Sequence, residues 1–117
     1  MTVKECLAQA YRLLGYTDTV GDALQKQAVG LVDQITAELW YAVTEATYVP
    51  LTSPAQVVPL PDRTARTVLP YGVAMLIAQV QGDADNQAVF AALYDGRRSL
   101  ACTQSGRVTD GLPEVSE

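Results

Sequence analysis

The strongest constraint on the fold is an apolar stripe, Leu24, Ala28, Leu31, Ile35, Leu39, Ala42 and Ala46, spaced by three or four residues. That period lines one face of an α-helix. Gln25, Lys26, Asp33, Gln34, Glu38 and Glu45 stand between its members, so one side of the helix is wet and the other packs. Asp22 is placed to cap its start, with Lys26 one turn on to pair with it. A helix of about 24 residues spans about 36 Å at 1.5 Å per residue, enough to be the spine of a small domain. With 117 residues in all, the chain has room for one core.

The segments around this helix read in the same way. Thr2-Val3-Lys4-Glu5 is a capping box, and Val3, Leu7, Ala10, Tyr11 and Leu14 repeat at helical spacing up to Gly15, a left-handed C-terminal stop. A first helix over about residues 3–14 follows. From Thr47 to Pro61 four prolines forbid helix and favour extended backbone, so 47–61 is an arm. Its two apolar runs around Ser53-Pro54 allow a short irregular hairpin, confined to an edge.

Asp62 is placed to cap a third helix, with Arg66 at i+4. Val68, Leu69, Val73, Ala74, Met75, Leu76, Ile77, Ala78 and Val80 make it apolar nearly all round, hence buried. Pro70 demands a kink, or a short helix ending near Leu69 and a new one from Pro70. The apolar run of about 13 residues is shorter than the roughly 20 of a membrane span. Gly82 ends it, and Asp83-Ala84-Asp85-Asn86 opens a fourth helix whose packing side reads as Val89, Phe90, Leu93, Tyr94, Leu100 and Ala101. Gly96 is its weak point. The expectation is an all-α bundle of about four helices: a helical domain over 1–104 with its Pro-rich arm, and an extended tail over 105–117.

Chemistry is hard to place on this chain. It has no histidine, which removes the commonest general base and zinc ligand. Cys6 and Cys102 stand far apart, expected as free thiols in a reducing compartment, with a disulfide between them left open. No Gly-rich phosphate loop occurs. Asp83-Ala84-Asp85-Asn86 resembles the start of a calcium loop, but Ala88 and Tyr94 stand where Gly and Glu are required, so helix capping is the better reading. Glu38 and Glu45 read as solvated rather than as a catalytic pair. The six tyrosines and Trp40 read as packing rather than as a stacking platform. A net charge of −5, with the basic residues scattered, disfavours tight nucleic-acid binding. Neither catalysis nor a cofactor is expected.

Several local motifs converge on one family. Leu13-Leu14-Gly15-Tyr16 closes helix one, Leu60-Pro61-Asp62-Arg63 follows the arm, Pro70-Tyr71-Gly72-Val73-Ala74 lies in the apolar helix, and Gly82-Asp83-Ala84-Asp85-Asn86 leads into Phe90-Ala91-Ala92-Leu93-Tyr94. With these motifs the chain resembles the head-to-tail connector, or adaptor, proteins of tailed bacteriophages. The resemblance implies a structural virion protein of the neck, made in the host cytoplasm, forming a dodecameric ring under the portal. Its partners would be other copies of itself, the portal above, and a stopper or tail-completion protein below, with DNA passing through the lumen and no membrane involved. It also implies interface residues at Val57, Val58 and Leu60 of the arm and at Arg107, Val108 and Leu112 of the tail. The alternative is a helical nucleic-acid-handling protein, such as a packaging or regulatory subunit, which the missing basic patch weakens.

Overall fold

The computed structural model describes residues 1–16 and 22–104, and among them every regular element is helical. The helices are α1 (Val3–Leu13), α2 (Asp22–Val43), α3 (Asp62–Thr67), α4 (Leu69–Val80) and α5 (Ala84–Gln104). Only Val68 separates α3 from α4, so the all-α bundle has four helices with the third one broken. The break falls there because Pro70 has no amide to donate backward. Its ring instead suits the first turn of a new helix.

The helix ends follow local rules. The Thr2 hydroxyl accepts from the Glu5 amide at 3.2 Å, and Glu5 Oε1 accepts from the Thr2 amide at 2.8 Å, completing the capping box. Gly15 (φ +80°) and Gly82 (φ +74°) take the left-handed conformation at the ends of α1 and α4. At the first, Tyr16 N–H donates to Tyr11 O and Gly15 N–H to Arg12 O. At the second, Asp83 N–H donates to Ala78 O and Gly82 N–H to Gln79 O. Both are Schellman motifs, and the Tyr11 and Tyr16 rings stack at 6.0 Å across the first. At α3 the expectation was misplaced by one residue. Pro61 occupies the cap, and Asp62 lies in the first turn with both carboxylate oxygens 2.9 Å from Arg66 Nε.

The spine is α4 rather than α2. Leu69, Pro70, Gly72, Val73, Ala74, Ile77 and Ala78 of α4 are buried, and α1, α2, α3 and α5 all pack against it. Leu69, Val73 and Ile77 lose all contact with solvent, each contributing about 1.5–3 kcal/mol of transfer free energy. The α2 stripe also shifts. Leu24, Ala28, Val32, Ile35, Thr36 and Leu39 are buried, whereas Leu31 and Ala42 are half-buried. The helix stops at Val43, leaving Glu45 and Ala46 exposed beyond it. Thr44 Oγ1 accepts from the Ala46 amide, and the Trp40 indole donates to Ala46 O at 2.7 Å. These bonds hold a turn where another helical step would have been. The proposed pairing of Asp22 with Lys26 lies outside the described side chains.

Candidate protein-interaction surface

The arm pairs with the N-terminus instead of with itself. In place of a hairpin, Val57 makes a single antiparallel bridge with Thr2, and Val58 N–H donates to Met1 O at 2.8 Å. Val3 N–H donates to Gln56 O and Lys4 N–H to Pro54 O, both at 3.0 Å. The arm carbonyls thus satisfy two of the amides that open α1, and Thr2 satisfies the next.

The arm's first half is held by Asp33, read from the sequence as a solvated residue. Its Oδ1 accepts from the Tyr48 hydroxyl at 2.8 Å and from the Leu51 amide at 2.7 Å. Burial together with the Asp33 carboxylate pushes the Tyr48 hydroxyl pKa well above its ordinary value. Tyr48 also packs against Trp40 and Tyr41 at ring distances of 6.2 and 6.3 Å.

This anchoring decides which arm residues face outward. Val57 is 68% exposed, Val58 is 3% exposed and packs in the core, and Leu60 is half-buried against it. Val49 is also exposed. Arg107, Val108 and Leu112 lie outside the described residues.

A second apolar surface runs along α5. The sequence reading put Val89, Phe90, Leu93, Tyr94, Leu100 and Ala101 on one packing side, but the helix carries two stripes offset by one residue. Phe90 and Tyr94 are buried and Ala101 is half-buried, while Val89, Leu93 and Leu100 are 54%, 41% and 58% exposed. At 100° per residue the outer stripe centres roughly 100° around the helix from the inner one. Its members extend over about 16 Å of helix, with Gly96 between Leu93 and Leu100. Among the described residues nothing lies within 4 Å of where a Gly96 side chain would begin. The signal was present in the sequence as two interleaved runs of the same spacing.

The polar residues of the bundle tie elements together. Glu38 Oε1 accepts from the Tyr94 hydroxyl at 2.6 Å, and Glu38 Oε2 lies 3.6 Å from Arg98, joining α2 to α5. Glu45 lies in the loop beyond α2, away from this link. Asp83 caps α5, with Oδ1 accepting from the Asn86 amide at 3.1 Å and Oδ2 from the Asn86 side chain at 2.7 Å. Tyr71 lies between Phe90, at 6.3 Å, and the Arg97 guanidinium, 4.1 Å above its ring. The Cys6 thiol is buried, which pushes its pKa up to about 12 and makes the reactive thiolate inaccessible at neutral pH. Among the described residues no three His, Cys, Asp or Glu side chains gather as a metal site, and no helix is long and apolar enough to cross a membrane.

Comparison of the chain with protein-family models, with curated proteins and with solved structures returns no match.

Proposed function

We propose that this chain is a non-catalytic connector subunit of a tailed bacteriophage. In this reading it forms a ring beneath the portal in the virion neck, links it to a stopper or tail-completion protein, and lets DNA pass through the lumen. The observation that carries the proposal is the outer stripe of α5, Val89, Leu93 and Leu100, on a helix whose adjacent side already completes the core. A row of large apolar side chains on one helix face is what a neighbouring subunit would cover. A closed ring also requires two different patches on each subunit. The outward side of the arm, with Val49 and Val57, supplies a second one on a separate element. The net charge of −5 suits a lumen that DNA slides past without adhering.

The test combines light scattering and negative-stain imaging of the chain, alone and mixed with a portal ring. The wild-type chain is expected to join the portal as a ring. Leu93→Glu is expected to keep its helicity and melting temperature yet lose assembly. A chain that stays monomeric and never joins a portal ring at high concentration defeats the proposal. Salt-sensitive DNA retention by that monomer would favour the nucleic-acid-handling alternative instead.

A further inference from the structure

A groove of about 530 Å³ opens where the C-terminal end of α2, α3 and the last turns of α5 meet. That volume falls within the range of ligand clefts, roughly 300–1,000 Å³. Val43, Leu100 and Ala101 supply apolar lining, and Arg63 and Arg97 supply charge. Among the described residues no carboxylate lines it. Arg66 and Arg98 have acidic partners, but among the described residues Arg63 has no ion-pair partner. Arg97 is held by the Thr67 carbonyl, at 3.1 Å, and the Tyr71 ring. The groove therefore combines an apolar lining with two arginines that no described carboxylate neutralises, a chemistry that fits a short acidic segment with apolar side chains.

The chain carries such a segment within reach. Residues 105–117 hold Asp110, Glu114 and Glu117 against the single Arg107, interleaved with Val108, Leu112 and Val115. Leu100 and Ala101 lie within about one helical turn of Gln104, the last residue of α5. Leu112 is eight residue steps from Gln104, which extended cover about 26 Å. Gly106, two positions past the helix, is the residue type that most readily reverses a chain at such a point.

We propose that residues 108–115 fold back within the same chain and occupy this groove. Val108 and Leu112 lie on its apolar lining, and Asp110 and Glu114 lie toward Arg63 and Arg97. The docked segment covers Leu100 and leaves Val89 and Leu93 as the open part of the outer α5 stripe. This proposal does not rest on the connector reading, since it concerns a contact within one chain, but it narrows the surface that reading offers a neighbour to Val89 and Leu93.

Disulfide trapping in the full chain tests it. A Thr64→Cys, Leu112→Cys chain also carrying Cys102→Ser leaves Cys6 as the only other thiol, which burial protects. Under mild oxidation at micromolar concentration an intrachain disulfide is expected to form at least tenfold faster than in a Lys26→Cys, Leu112→Cys control. Lys26 lies about 26 Å along α2 from Val43. Adding Arg63→Glu, or high salt, is expected to slow trapping about fivefold, and Asp110→Arg in the Arg63→Glu background to restore it. Equal rates in the two cysteine pairs, predominantly interchain disulfides, or trapping indifferent to Arg63→Glu and to salt would each overturn the proposal. Circular dichroism of every variant establishes that the bundle is intact, and assembly with a portal plays no part in the readout.

Discussion

Replacing Gly72 tests the packing geometry most directly. A Cβ built there would meet Ile35 Cγ2 and Tyr94 Cε1, both at 2.8 Å, and Tyr94 Cδ1 at 2.9 Å. Neither neighbour can retreat cheaply. Ile35 is buried within α2, and the Tyr94 ring is buried with its hydroxyl bonded to Glu38. Alanine would gain about 1 kcal/mol of helix propensity and incur about 1–3 kcal/mol of overpacking. With two rigid contacts the upper part of that range applies, so Gly72→Ala is expected to destabilise by about 1–2 kcal/mol. Gly96→Ala, in open space on the outer side of α5, gains only the propensity and should stabilise by about 0.5–1 kcal/mol. The same substitution thus has opposite signs at two helical glycines. Urea unfolding followed by circular dichroism measures both midpoints, and an unchanged slope attributes each shift to stability. In thermal melts each kcal/mol should move the midpoint by about 3–6 °C. The clash also predicts coupling: in a Tyr94→Ala background the Gly72→Ala penalty should shrink by about half. A Gly72→Ala chain as stable as wild type would refute the close approach of the three helices.

Thr36 is fully buried with no hydrogen-bond partner for its hydroxyl among the described residues, so Thr36→Val should raise unfolding free energy by about 1 kcal/mol, read as a higher urea midpoint. Asp33→Ala removes the acceptor of two bonds that hold the arm. A loss of about 2 kcal/mol is expected, with hydrogen exchange at the Leu51 amide accelerated more than in α4. The pH profile should fall at both ends. The Glu5 carboxyl is held below its ordinary value of 4.5 by its hydrogen bonds to Thr2, so the unfolded chain takes up that proton first and stability drops as acid is added. Tyr48 and Tyr11 are raised, mainly by burial, so above a pH of about 10 the unfolded chain ionises first and stability drops again, which urea midpoints across pH would record.

The features legible in the sequence were those set by a few neighbouring residues. The capping box at Thr2 and Glu5, the left-handed glycines at 15 and 82, the Asp83 cap and the break before Pro70 all depend on chemistry within one turn. What was misread depends on partners far along the chain. Val32 and Thr36 are buried beside Ile35, which meets α4 at Gly72, a contact that the stripe alone does not specify. The sequence allowed the arm to pair with itself as a hairpin, but the open amides at the start of α1 offered its carbonyls better donors. On α5 the apolar residues were counted without separating two faces, which made a surface stripe look like core. Of the interface residues suggested from the arm, Val57 and Val58 differ in exposure because successive residues of extended backbone point to opposite sides.

In the connector reading, the two stripes of α5 would divide the labour of folding and binding within one helix. Phe90 and Tyr94 face α4 and α2, and Tyr94 adds its bond to Glu38, so changes on that side act on the stability of the bundle. Val89 and Leu93 stay 54% and 41% exposed in the single chain, so polar changes there should cost the bundle less than changes at Phe90 or Tyr94. Gly96 belongs to the outer side in the same sense. A side chain there finds open space in the isolated bundle, so the helix-weakening glycine is not explained by any crowding within it. A covering subunit would supply that crowding. Gly96→Ala should then stabilise the isolated chain while weakening its assembly. If it strengthens both, the glycine has no role in close packing between subunits, and the outer face of α5 meets its partner through Val89 and Leu93 alone.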